Sequence, residues 1–448
     1  MSISQKNAAS ETCRNAFGAL LTSQGRGYYV TLELLAIAWG TLHHDGEVLP
    51  AFNEADTVLE YARRSHDFAR RWMSGELSHS EHVGGAEGPE SLRALLESLR
   101  VPIPNRRVLP GWLGQHLYPY VGELIHYDAV SRKGRVLIER YLYRGAGALA
   151  HKMLRCDTDP ARLEANRNGL RLLVSDAGGS LGSLALACSA HDAARGDDTT
   201  DAFKDELEPR ANIDTTPWVE HLRQGFSNIV QRDDLARSKK IDLLMVWVPY
   251  CIARHQLDRA AQILGEELSV IPMSLTVNRS AVRQLARREF DHSRALIDRA
   301  LVAEAKRAAK SSTEDADRDI YLRLANTRSW RNPLAAFFSG TMATAGAVNA
   351  HVGSRHFTAQ LSMLEALVCA SLAPGEELEY HRFCSEILAK QFRLLVDPPA
   401  GSHFGLMKYL DNADLEANAS QLANDLHGLG LLSEYSDATR MVHGEVAR

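Results

Sequence analysis

Three groups of residues in this chain have the types and spacing to do chemistry. The first is a set of His–Asp neighbours, His43-His44-Asp45, His66-Asp67 and His191-Asp192. A His, then a His-Asp pair and a distant Asp, can hold a metal ion that activates water for phosphate-ester hydrolysis. With 18 His in the chain, such pairs also arise by chance, and His79 and His82 fall in a Gly/Ser-rich stretch rather than on one helix face. No metal ligand is assigned. The second group is Asp176-Ala177-Gly178-Gly179-Ser180-Leu181-Gly182, which lacks both the Gly-Lys-Ser/Thr of a P-loop and the strand-borne Gly-x-Ser-x-Gly of a nucleophile elbow. Gly178 and Gly179 read as a turn, and Ser180 as the cap of the next helix. No catalytic residue and no cofactor follow, so the chain reads as a non-enzyme.

The third group is basic. Arg279, Arg283, Arg287, Arg288, Arg294, Arg299, Lys306, Arg307 and Lys310 stand against four acids, Glu289, Asp291, Asp298 and Glu304, a local balance of +5. Arg318, Arg323, Arg328 and Arg331 extend the run. Arg283, Arg287 and Arg294 fall near one helical face, while Leu285, Phe290, Leu296, Ile297 and Leu301 mark an apolar side. The same spacing describes a solvated surface helix. The chemistry it offers is phosphate neutralisation, so Arg279, Arg283, Arg287, Arg288, Arg294, Arg299, Lys306, Arg307, Arg328 and Arg331 are the candidate nucleic-acid contacts.

Helices must position these residues. Apolar residues recur at three- and four-residue spacing through most of the chain, and alternating runs are scarce, which predicts an all-α, multi-domain helical protein. Candidate helices include 11–23, 30–43, 53–74, 89–99, 134–155, 160–174, 180–194, 216–231, 236–256, 257–266, 278–310, 316–326, 333–349, 358–373, 378–393 and 414–429. Ser74 to Pro89 and Ala193 to Pro217 are polar, loop-like stretches. The expected domains are 1–200, 215–350 with the basic segment 278–331, and 351–448. Trp112, Trp218, Trp247 and Trp330, with Tyr118, Tyr120, Tyr141 and Tyr143, read most simply as core and interface aromatics, and Tyr118-Pro119-Tyr120, beside a Pro and a Gly, has an exposed contact as its alternative reading.

At 448 residues the chain exceeds the size at which one core usually stops growing. Its 45% hydrophobic and 24% charged residues describe a globular protein, and a formal charge of −5 excludes a uniformly basic surface. Six scattered Cys without a Cys-x-x-Cys pair fit a reducing cytoplasm. Met1 to Ser10 carries no signal-peptide pattern, and the most apolar run, Leu243 to Ile252, is interrupted by Pro249 and too short for a membrane helix, so no membrane role is expected.

The C-terminal segment is acidic. From Arg355 to Arg448 seven Lys or Arg face thirteen Asp or Glu, a balance of −6. Its last helix, near Asp414 to Leu429, runs into the extended Leu431-Leu432-Ser433-Glu434-Tyr435, the order in which a winged-helix module passes from its final helix to its wing. That helix contains no Lys or Arg. A helix without cations suits a protein partner better than DNA.

Two stretches carry a resemblance. Arg-Ser-Trp-Arg-Asn-Pro-Leu-Ala-Ala-Phe-Phe from Arg328, continuing through Leu-Ala-Pro-Gly-Glu-Glu-Leu-Glu-Tyr to Phe383, and His-Gly-Leu-Gly-Leu-Leu-Ser-Glu-Tyr-Ser-Asp-Ala, His427 to Ala438, resemble large helical accessory proteins encoded beside ATPases and nucleases in bacterial phage-defence islands. A vaguer likeness covers Lys240 to Gln256. The resemblance implies a scaffold or adaptor subunit of an anti-phage defence complex, assisting a partner ATPase, helicase or nuclease on DNA, and it transfers no active-site residue. The alternatives are a DNA-binding transcriptional regulator, which needs cations on the last helix, and an HD-type metal-dependent phosphohydrolase, which needs His43 or His44, His66 and Asp67 to converge.

Overall fold

The computed structural model describes residues 4–23, 27–51, 58–62, 112–113, 128–132, 135–138, 145–175, 200–204, 216–276, 280–349, 354–435 and 439–444. These are predominantly helical. In chain order they form α1 (Gln5–Phe17), α2 (Tyr29–Asp45), β1 (Val58–Ala62), β2 (Trp112–Leu113), β3 (Asp128–Arg132), β4 (Arg135–Ile138), α3 (Ala146–Arg155), α4 (Pro160–Val174) and β5 (Thr200–Lys204). Then come α5 (Pro217–Val230), α6 (Arg237–Leu264), β6 (Ile271–Pro272), α7 (Ala281–Ser311), α8 (Asp315–Asn326), α9 (Asn332–Thr344) and α10 (Leu361–Ser371). The chain closes with β7 (Glu377–Glu379), α11 (Tyr380–Arg382) running into a π-helix (Phe383–Gln391), β8 (Leu394–Leu395), α12 (Pro398–His403), α13 (Asn412–Gly428), β9 (Leu432–Glu434) and β10 (Arg440–His443).

The chain divides into two compact units, Tyr29–Pro209 and Met1–Tyr28 with Arg210–Arg448. In the first, α2 is apolar on every side and its residues 29–41 are all buried, the pattern of a helix enclosed by its own domain. It packs on α3, α4, β1 and β5. The junction with α3 is tight: a Cβ on Gly147 would meet Glu33 Cβ at 2.4 Å and the Val30 carbonyl oxygen at 2.6 Å. Only glycine lets the backbones approach so closely. Asp159 caps α4 by accepting from the Ala161 and Arg162 amides, with Pro160 in the first turn.

This unit corrects the sequence reading in three places, the first being residues 200–204, which form β5 inside the loop-like stretch Ala193 to Pro217. Residues 58–62, expected within helix 53–74, form β1 and pair antiparallel with β5, Val58 opposite Lys204. Residues 135–138, expected to open helix 134–155, form β4 in the sheet β2-β3-β4. The latter two are short runs whose strand partners decide their conformation against the local helical period. Helices 89–99 and 180–194 lie outside the described residues.

The second unit is built around α6. The expected helices 236–256 and 257–266 are one continuous 28-residue helix with Pro249 inside it. Pro249 removes one backbone donor, but the surrounding turns are buried on α5, α7, α9 and α10 and hold the rod together. Gly225 on α5 lets the Trp247 indole lie against its backbone; a Cβ there would stand 2.4 Å from Nε1. Helix α1 joins α6, α7 and α8, starting at the Ser4 cap and ending at Gly18, several residues before the expected 11–23. The first 28 residues therefore belong to this unit, not to a domain spanning 1–200.

No unit boundary falls near 350. Val282, Ala389, Leu395, Ala400, Leu410 and Leu415 share one apolar cluster across it. Strand β6 pairs parallel with β8. Asn418 on α13 is 1% exposed; its Nδ2 donates to the Met273 and Val396 carbonyls, and its Oδ1 accepts from the Leu275 amide. The small residues Gly340 to Ala343 at the end of α9 are buried in the interior, so the chain does not open there into a linker. Toward the C-terminus the order is helix α10, strand β7, α11 with the π-helix, strand β8, helices α12 and α13 and the β9–β10 hairpin, with three of the strands arranged β7-β10-β9.

Candidate nucleic-acid interface

Helix α7 carries the basic segment. Its start is fixed twice: Ser280 Oγ accepts from the Arg283 amide, and Asp414 Oδ2 on α13 accepts from the Ala281 amide at 2.8 Å. Its buried stripe, including Val282, Ala286, Phe290, Ile297 and Leu301, packs toward α1, α6, α8 and α9. This stripe orients the cations outward.

The candidate residues separate into distinct situations. Arg279 lies outside the described residues. Arg283 is half-buried, whereas Arg287, Arg288 and Arg294 are exposed, Arg294 lying 6.0 Å from the Phe290 ring centroid. Both Arg283 and Arg287 lower the pKa of His356, after burial, the main cause. Arg299 is exposed but clasped by both oxygens of Glu266, whose carboxyl it holds below the usual range. Lys306 is exposed, and Arg307 pairs with Glu304 one turn away. Arg328 is exposed.

Arg331 is a correction. It is 7% exposed, its Nε donates to Asp298 at 2.8 Å, and its Nη1 reaches the carbonyls of Leu324, Ala325 and Thr327. Trp330 Nε1 donates to the same Leu324 carbonyl at 2.7 Å. The Arg-Ser-Trp-Arg-Asn stretch is thus a clasp on the C-terminal carbonyls of α8, groups a helix leaves unpaired. No phosphate reaches that guanidinium.

The C-terminal segment presents a different surface. On α13 the exposed residues include Glu416, Ala417, Ser420, Asn424 and His427, without a Lys or Arg. Several cations nearby are compensated: Arg382 by Glu386 and Arg440 by Glu434, while Lys408 stands over the Tyr409 ring. Paired surface charges of this kind leave little positive field for phosphate.

A buried polar node escaped the sequence reading. Arg254 on α6 is fully buried, its guanidinium 4.4 Å from the Trp218 ring centroid, and its Nη1 donates to Tyr250 Oη and to the Phe392 carbonyl, both at 3.2 Å. One turn on, Asp258 is 1% exposed, and burial pushes its carboxyl up. Phe392 caps the π-helix, its amide donating to the Ile387 and Ala389 carbonyls, and Arg393 follows with φ at 55°. The available signal was the four-residue spacing Tyr250, Arg254, Asp258, which sets polar groups on one helix face inside an apolar run.

Among the described residues no cluster of three His, Cys, Asp or Glu is placed to hold a metal. The side chains of His43 and His44, and His66, Asp67, His191, Asp192 and Gly178 to Gly182, lie outside the described residues, as does Tyr118-Pro119-Tyr120. Among the described residues Cys13, Cys156, Cys251, Cys369 and Cys384 are free thiols, and burial pushes Cys13 up to about 12. No helix among the described residues is long and apolar enough to cross a membrane. Comparison of the chain with protein-family models, curated proteins and solved structures finds no match.

Proposed function

We propose that this protein is a non-enzymatic adaptor of a bacterial anti-phage defence complex, which holds DNA through α7 while its C-terminal segment engages a partner ATPase, helicase or nuclease. The observation that carries the reading is the contrast between two helices: α7 exposes Arg287, Arg288, Arg294 and Lys306, and α13 exposes none. Phosphate is attracted to the first and finds no cation on the second. The defence setting rests on the resemblance of 328–383 and 427–438 alone. Within that resemblance Trp330 and Arg331 clasp the end of α8.

The C-terminal segment is read as a winged-helix module with an insertion. Supporting this are the order α10, β7, π-helix, α13, β9, β10 and the strand arrangement β7-β10-β9, the β9–β10 hairpin being the wing. In a DNA-reading regulator α13 would carry cations toward phosphates, so its cation-free exposed face favours a protein partner.

The test is a salt titration of DNA binding by the intact chain. Arg283→Glu/Arg287→Glu/Arg294→Glu should lower affinity more than tenfold and flatten the salt dependence. Ser420→Ala/Asn424→Ala/His427→Ala on α13 should leave both unchanged. The reverse pattern replaces the adaptor reading with the regulator.

A further inference from the structure

Resting on the reading of α7 as the DNA contact, we infer that its ligand is duplex DNA, gripped by the phosphates of both strands and without base reading. The first argument is the arrangement of cations around the helix. At about 100° per residue, Arg287 and Arg294 occupy one margin of the strip exposed along the first half of α7 and Arg288 the other, roughly 110° away; Lys306 and Lys310 continue the Arg288 side where Ala305 and Ala309 are buried against α8. Asp291 and Gln284, both exposed, lie between them. On a helix about 10–12 Å across, the two margins stand on the order of 10 Å apart. That matches duplex groove widths of about 6 to about 12 Å. An acid between two cationic margins repels a single strand lying along the middle but sits over the groove of a duplex whose phosphates run on either side.

Length and shape agree. Arg287 to Lys310 spans roughly 35 Å of helix, about one duplex turn. The opposite side of α7 is packed against α1, α6, α8 and α9, and the exposed cations are long side chains that suit backbone phosphates. Single-strand binders stack bases on exposed aromatics. Here Phe290 and Tyr321 are buried, and the indole of Trp330 is tied to the Leu324 carbonyl.

The experiment measures fluorescence anisotropy of the intact chain with two duplexes of unrelated sequence and one single strand of equal length, across a salt series. Expected are duplex affinities within about twofold of each other and single-strand binding at least tenfold weaker. Arg294→Gln should reduce the slope of log affinity against log salt by about 1, and Arg288→Gln/Lys306→Gln by about 2, since each lost phosphate contact removes about 0.9. All three positions are exposed, so unchanged melting temperatures will confirm intact folding. Tighter single-strand binding, tenfold preference for one duplex, or a slope that responds to one margin alone overturns this inference and leaves the DNA reading standing. Absence of binding to all three probes at low salt overturns both.

Discussion

Arg331, which precedes α9, and Asp298 on α7 are 33 residues apart and meet at 2.8 Å between Nε and a carboxylate oxygen. Arg331→Ala removes this pair and uncaps three carbonyls at the end of α8, so we expect a loss of about 2–4 kcal/mol in chemical denaturation. Arg331→Lys should recover little, because a point charge cannot span the same acceptors. Neither variant should change the salt slope of DNA binding while the protein remains folded.

Glu33 does for α3 what Arg331 does for α8. Its two oxygens accept from the Gly145 and Gly147 amides at 2.9 and 2.7 Å, inside the Tyr29–Pro209 unit. Glu33→Ala leaves two buried donors unpaired at a helix N-terminus and should cost about 2–3 kcal/mol. Gly147→Ala should be worse, since its new Cβ meets backbone atoms that cannot move aside. Thermal melts of both variants check the order; equal melting temperatures would contradict the close approach.

Asn418 holds α13 onto β6 and β8 with three hydrogen bonds. Asn418→Ala should lower stability by about 2–3 kcal/mol. Because residues 210–350 and 351–448 share a core, a single unfolding transition of that unit should shift as a whole. Selective melting of the C-terminal segment would show instead that it folds alone.

Acid should weaken the fold through two enclosed histidines. His151 binds the Val48 carbonyl through Nε2, and burial pushes it down to about 4; burial likewise pushes His255, beside Thr216, down to about 3. Their native pKa values lie below the unfolded value near 6.5, so the unfolded chain binds the protons first. The neutral form's stabilising contribution is complete above about pH 6.5 and is lost as the pH falls toward 4. Each contributes at most about 1.4 kcal/mol per pH unit in that window. A His151→Gln variant should show a flatter decline between pH 6.5 and 4 by urea denaturation; a parallel decline would remove His151 from the account.

What the sequence determined by itself is the local layer. The three- and four-residue spacing of apolar side chains placed α5, α7, α8 and α13 within a few residues, because a helix closes its own hydrogen bonds and needs only a stripe to bury. The basic character of α7 and the cation-free α13 were legible for the same reason, being properties of single elements. Tertiary structure decided the rest. Val58–Ala62 became a strand because a partner about 140 residues away completed its hydrogen bonds, and the segments on either side of residue 350 merged because α13 brings Asn418 to the backbone of Met273 and Leu275. Arg331 and Arg294 are the same residue type in the same basic run, yet one closes a helix end and the other faces solvent. Which role each takes depends on the carbonyls and carboxylates that packing carries to it, and no local spacing encodes that.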